Sequence, residues 1–233
     1  MIEAKSKKAL LQSLSEMEIA VPEKSGGRLS DHTEVYAIAY MLATLALEDK
    51  ITYPFTLKKC ERPDFLLLSG GEKIGVEHTE AVSENVAQSD FLREKGYGHE
   101  VQFLRYSAHG EKRKKGKRLI SELEENDPGD GWMGDSVERE WAAAMFHSVK
   151  EKICTAQKPG YKLFESNWLL VYDNLTLPVL HLEEAIPIFR QLFSEGEPFS
   201  TFSSIFILTE RQLCQFSKES LAVLPSNELW KKS

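Results

Sequence analysis

The chain has 233 residues, 42% of them hydrophobic and 28% charged, with 14 glycines and 9 prolines. That is enough apolar material for one sizeable core, and it excludes collagen-like, low-complexity and wholly disordered classes. The net charge of −7 excludes a globally basic nucleic-acid coat; residues 111–118 (EKRKKGKR) nevertheless hold six cations against one acid, net +5, which leaves −12 on the remainder.

Residues 3–19 read as an amphipathic helix with Leu10, Leu11, Leu14 and Met17 on one face. Charges occur in every turn, and there is no apolar stretch of the signal-peptide kind. PEKSGGRLS (22–30) is rich in breakers and reads as a linker. Residues 1–28 therefore stand as an N-terminal helix and linker before a single α/β domain at 29–233. Asp31 followed by Glu34 has capping-box spacing. The following VYAIAYMLATLAL is apolar on nearly every side and predicts a buried helix, too short to span a membrane. ITYPFTL (51–57), PDFLLL (63–68) and KIGVEHT (73–79) read as strands. The last two are joined through Ser69-Gly70-Gly71-Glu72, a hairpin signal.

Residues 82–133 are polar and mixed and read as an insertion. It would hold a helix near 85–96, a short strand at 101–107, the basic run, a helix at 117–125 and a loop at 127–134. Asp135 with Glu138 is a second capping-box candidate. It opens a helix to about Cys154, with Ala142, Phe146, Val149 and Ile153 as its packing stripe. NWLLVYD (167–173) reads as a buried strand, HLEEAIPIFRQLF as a helix, SSIFILTE (203–210) as a strand, and the tail from Arg211 as a weak helix. This order predicts an α/β sandwich, a mixed central sheet flanked by helices. Cys60, Cys154 and Cys214 are far apart, with no CxxC, which fits a reducing cytosol and a cytoplasmic protein.

The hairpin carries the chemistry. If Gly70 and Gly71 are the turn, Ser69 pairs with Glu72 and Leu68 with Lys73, so Asp64 falls opposite Glu77, their Cβ atoms ~5 Å apart. Alternation puts Thr79 on the side of Glu77 and sends Val76 and His78 to the other. Two facing carboxylates in an apolar setting repel one another, and burying either unpaired is costly. A divalent cation between them removes the conflict. Hard oxygen donors point to Mg²⁺ or Mn²⁺, with the backbone carbonyl of His78 as a further ligand. The competing reading makes Asp64 a strand-opening residue after Pro63 and puts Glu77 on an exposed face beside a lysine.

Pro63-Asp64 followed by Glu77-x-Thr79 at the end of the next strand resembles the PD-(D/E)xK nuclease superfamily, which has the restriction-endonuclease-like fold. The order of elements at 31–49, 51–79, 135–154 and 167–173 is similar to that family's core and covers about two thirds of the chain. The resemblance implies that Asp64 and Glu77 bind a metal that activates water for phosphodiester cleavage. Thr79 stands where the family has its lysine; a threonine can hold a water but supplies no positive charge. Some family members draw the lysine from the following helix, where Lys152 and Lys150 are the candidates, Lys152 adjoining the apolar stripe. Glu34, in the first turn of the buried helix, is a further metal-ligand candidate by the same resemblance, although its spacing from Asp31 already gives it a capping role.

The basic residues Lys112, Arg113, Lys114, Lys115, Lys117 and Arg118 have the character of a phosphate-contacting segment, one that carries no base-specific information by itself. GEKRKKGK (110–117) has one residue too many for a P-loop, and Arg118 replaces its Ser/Thr. His78-Thr79-Glu80 lacks the downstream PCxxC of a zinc deaminase. A calcium loop from Asp127 would place Gly129 and Gly131 at ligand positions. The leading expectation is therefore a Mg²⁺- or Mn²⁺-dependent phosphodiesterase acting on nucleic acid, most simply a DNA nuclease. The resemblance also allows a homodimer that cuts both strands. The alternative is a catalytically silent nuclease-fold module that binds nucleic acid or protein.

Overall fold

Among the described residues, eight strands form one sheet whose order in space is their order in the chain. The computed structural model describes all residues except 24–25, 102, 104–109, 129–130, 194–197, 227–228 and 231–233. The strands are β1 (Ile2–Ala4), β2 (Phe55–Lys59), β3 (Phe65–Ser69), β4 (Glu72–Ala81), β5 (Ser166–Asp173), β6 (Ser204–Leu208), β7 (Gln212–Phe216) and β8 (Leu221–Pro225). The helices are α1 (Lys7–Ser15), α2 (Ser30–Leu47), α3 (Glu84–Glu94), α4 (Gly116–Glu125), α5 (Ser136–Ala156) and α6 (Leu182–Leu192). β1 to β4 pair antiparallel, β4–β5 and β5–β6 pair parallel, and β6 to β8 pair antiparallel again. A parallel step needs a crossover; α5 and α6 supply the two.

The sheet separates two cores. Ile74, Val76, Leu170 and Phe206 face α1 and α2, whereas Leu169, Val171, Ile205 and Ile207 face α5 and α6. β5 alternates between these two apolar environments, so its sequence reads as an unbroken apolar run. α2 is buried from Ala37 through Ala46, with only Tyr40 half-buried, as its all-round apolarity requires. The mixed sheet flanked by helices is the expected α/β class. α3 and α4 hold their own small core of Leu92, Leu119 and Leu123.

Several local readings change. Residues 3–19 are not one helix. Ile2–Ala4 pair with β2 as an edge strand, and the helix begins after Ser6, whose hydroxyl accepts from the Ala9 amide. Leu10 and Leu14 are fully buried in the core that α2 shares, so α1 belongs to the main body of the protein. The tail from Arg211 is not a helix but the β7–β8 hairpin, closed by a Ser217–Ser220 turn. Leu213 packs towards one core and Cys214 and Phe216 towards the other; pairing with β6 decides against the local helix signal. Neither capping box forms. His32, not Glu34, accepts the amide at the start of α2, and Asp31 and Glu34 pair with Lys59 instead. Asp135 pairs with Arg139, while Glu138 accepts the His181 amide and ties α5 to the start of α6. Most of the strand expected at 101–107 lies outside the described residues.

Candidate active site

The hairpin has the register expected from its turn. Ser69 faces Glu72, and the ladder runs to Phe65 opposite Val76. Gly70 and Gly71 have φ of 58° and 95°, the doubly left-handed turn that a two-residue hairpin with strand-like twist needs. Asp64 sits one residue before β3, and its Oδ2 accepts the His78 backbone amide at 2.7 Å. A side chain thus continues the ladder where β3's own backbone stops, anchoring Asp64 beside the Glu77–His78 peptide.

Glu77 is 5% exposed and faces α5. From that helix Lys152 reaches back, its Nζ 2.9 Å from Glu77 Oε2 and 3.9 Å from Asp64 Oδ2. Two carboxylates and one ammonium therefore meet at one end of the β3–β4 pair. Burial raises the Asp64 pKa to about 6, against the His78 amide, which lowers it; the Glu77 charge raises it and Lys152 opposes. Tyr161, in the loop after α5, sets its hydroxyl against Glu77, and burial together with that neighbour pushes its ionisation up.

The loop that carries Tyr161 is tied down by β5. The Asn167 side chain takes the Phe164 amide at 3.0 Å and gives to the Phe164 carbonyl at 2.7 Å. Gly75, next to Asn167 in the parallel ladder, has no room for a Cβ, which would lie 2.9 Å from Phe164 and 3.1 Å from Pro63. That close approach packs the Tyr161 loop and the Pro63–Asp64 corner onto the same strand.

The other expected residues divide. Thr79 lies two residues beyond Glu77 on the same side of β4, in register with Val171. The His78 ring is buried on the opposite face, its Nε2 without a hydrogen-bond partner among the described residues, and burial lowers its pKa to about 3; only its backbone belongs to the carboxylate end. Glu80 points away from Thr79 and binds Arg28 at 2.8 Å and Asn174 at 2.6 Å. Lys150 sits over the Phe146 ring and makes no contact with either carboxylate. Glu34 is held by Lys59 at 3.2 Å, and its charge still bears on Asp64. Lys59 and Tyr161 carried no sequence signal, since neither belongs to the motif or shares its spacing.

The basic segment is docked on α3. The Asn85 side chain accepts the Lys114 amide at 2.8 Å and donates to Glu111 at 3.0 Å and to the Lys112 carbonyl at 3.4 Å. Glu122 takes Lys114 and Arg118, both at 3.1 Å, and Arg113 reaches Gln88. Lys112, Lys115 and Lys117 remain exposed.

Among the described residues, no group of three or more His, Cys, Asp and Glu side chains is arranged to hold a metal ion, and no helix is long and apolar enough to cross a membrane. Asp64 and Glu77 offer two hard oxygen donors. Mg²⁺ binds commonly through one or two carboxylates and keeps several waters, so this donor set fits Mg²⁺ or Mn²⁺ and does not fit a nitrogen- or sulfur-ligated metal. In comparisons with known proteins the chain matches no family model, no curated protein and no solved structure.

Proposed function

We propose that the protein is a Mg²⁺- or Mn²⁺-dependent phosphodiesterase, a nuclease of the PD-(D/E)xK type with a restriction-endonuclease-like core, acting on DNA. The observation that carries this reading is the placement of Lys152. Its ammonium meets both Asp64 and Glu77, which supports a trio of two acids and a lysine although the motif has Thr79 where a lysine is usual. The helix–meander–helix–strand order of α2, β2–β4, α5 and β5 supports the same reading.

Asp64, Glu77 and the His78 carbonyl would hold the cation. When bound, it supplies Lewis acidity towards the phosphate and lowers the pKa of a bound water. The protein's own residues do the rest. The His78 amide fixes the Asp64 carboxylate against rotation. Lys152 supplies positive charge where negative charge develops on a transferring phosphate, in a site drier than bulk water. Thr79 offers a hydroxyl to a water on the Glu77 side. The exposed Lys112, Lys115 and Lys117 steer the polyanion towards the domain.

Cleavage of plasmid and oligonucleotide substrates in Mg²⁺ or Mn²⁺ tests this, comparing wild type with Asp64→Ala and Glu77→Ala. Loss of activity in both variants is expected. Equal activity in all three ends the proposal. The second reading, a silent nuclease-fold module, is favoured by one observation: Lys152 already neutralises Glu77 at 2.9 Å. It predicts metal-independent, salt-sensitive retention of nucleic acid without cleavage.

A further inference from the structure

Lys59 ends β2 at the same end of the sheet as Asp64; the Cys60 amide, next along the chain, donates to the Asp64 carbonyl at 2.8 Å. Its ammonium lies 2.8 Å from Asp31 Oδ1 and 3.2 Å from Glu34 Oε2. The Asp31 side chain is 66% exposed, whereas that of Glu34 is only 15% exposed. Glu34 is thus the less exposed member of the pair, and its charge bears on Asp64. Partial burial works against the Lys59 cation, but its hydrogen bonds to Asp31 and Glu34 outweigh this and raise its pKa, so it stays charged.

The end of the sheet therefore carries two ion-pair groups. Lys152 serves Glu77 and Asp64, and Lys59 serves Glu34 and Asp31. Fully ionised, these four acids and two lysines sum to −2, the complement of one divalent cation. Without Lys59, Glu34 would be a half-buried carboxylate beside Asp31 and within reach of the Asp64 charge. Such a third acid relieves its repulsion by taking up a proton or, where a divalent cation is present, by joining the cation's ligands or admitting a second cation.

We propose that Lys59 is a positioning residue that holds Glu34 off the Asp64–Glu77 pair and so limits the site to a single divalent cation. This rests on the metal-binding part of the function proposed above. It assigns Lys59 a task in setting ligand number and makes Glu34 a withheld ligand in the intact protein.

Calorimetric titration of the full chain with Mn²⁺, in the absence of nucleic acid, tests it. Wild type takes up one ion, and Asp64→Ala loses it. Lys59→Ala binds Mn²⁺ about tenfold more tightly or takes up a second equivalent. Glu34→Gln binds within twofold of wild type, and Lys59→Ala/Glu34→Gln returns to the wild-type curve. Lys59→Arg, which keeps the cation and guards against a folding defect in the alanine variant, also matches wild type. Lys59→Ala binding like wild type, or Glu34→Gln losing tenfold or more, overturns the role of Lys59. Loss in Asp64→Ala together with loss in Glu34→Gln overturns it alone and leaves the metal site standing. No uptake by wild type, or undiminished uptake by Asp64→Ala, overturns the metal site and the role of Lys59 together.

Discussion

Lys152 and Glu77, 75 residues apart, meet at 2.9 Å across the interface between α5 and the sheet, and the same ammonium reaches Asp64 at 3.9 Å. Glu77 is 5% exposed, so the pair is largely desolvated on the carboxylate side. Lys152→Met leaves that carboxylate buried and unpaired. It is expected to cost about 2 kcal/mol, short of the figure for full burial because the lysine is part-exposed, with a fall in Tm of roughly 4–8 °C. Glu77→Leu/Lys152→Met removes both charges and recovers most of the loss while remaining inactive. Thermal melts of the three proteins measure this.

Asp64 and Asp173 make stability depend on pH. Burial raises both pKa values to about 6. A carboxyl that is harder to ionise in the folded state binds its proton more tightly there than in the unfolded chain. The contribution of these two carboxyls is therefore fully present below about pH 4 and is lost as pH rises through about 6, whereas buried His78, its pKa lowered to about 3, contributes with the opposite sign as pH falls. Asp64→Asn removes the penalty and keeps an acceptor for the His78 amide. Discounted for the partial exposure of Asp64, it should raise Tm by about 2 °C at neutral pH and by nothing near pH 4 in metal-free buffer. Saturating Mn²⁺ should reverse the order, because only the carboxylate gains from the ion. Melts at the two pH values, with and without Mn²⁺, check both signs.

Trp141 is fully buried, and its indole Nε1 donates to Asp173 Oδ2 at 2.7 Å. Asp173 also accepts the Leu175 amide, which turns the chain out of β5. Asp173→Ala orphans the indole N–H and is expected to cost about 2 kcal/mol. Asp173→Asn keeps an acceptor and should stay within about 1 kcal/mol of wild type. Denaturant unfolding of the two variants measures the difference.

If the protein binds nucleic acid as proposed, the exposed cations of the insertion set the salt dependence of that binding. Lys114 and Arg118 are engaged by Glu122 and Arg113 by Gln88, so Lys112, Lys115 and Lys117 would be the ones offered to phosphate. Reversing all three to Glu should weaken DNA binding at low salt. It should also flatten the slope of log K against log salt by roughly 0.9 for each phosphate no longer neutralised. Asn85→Ala changes no charge but releases the segment from α3, and should weaken binding several-fold. Anisotropy titrations across a salt series read both.

Much of the central hairpin was legible because its information is local. Two adjacent glycines set the turn, and strand alternation carries the register from there to Asp64 and Glu77. Lys152 was reachable too, since helix α5 follows from its stripe and only a few lysines on it adjoin that stripe. The rest depends on partners distant in sequence. β7 and β8 are five residues each; β7 becomes a strand only against β6, and β8 only against β7. The first strand is three residues long and exists because β2 offers an edge. Asp31 and Glu34 have capping spacing, but a lysine at the far end of β2 claims them both. Asn167, which ties the Tyr161 loop over Glu77, reads as an ordinary polar residue at a strand start until its two bonds to Phe164 are seen.

The most direct test of the central claim is the single-turnover rate of oligonucleotide cleavage in Mn²⁺ by wild type and Lys152→Met, each at saturating protein. If Lys152 supplies the cation missing at Thr79, the variant cleaves on the order of 10³-fold more slowly while binding DNA as tightly as wild type. Equal rates would contradict the assignment of Lys152, and no metal-dependent cleavage by wild type would contradict the nuclease itself.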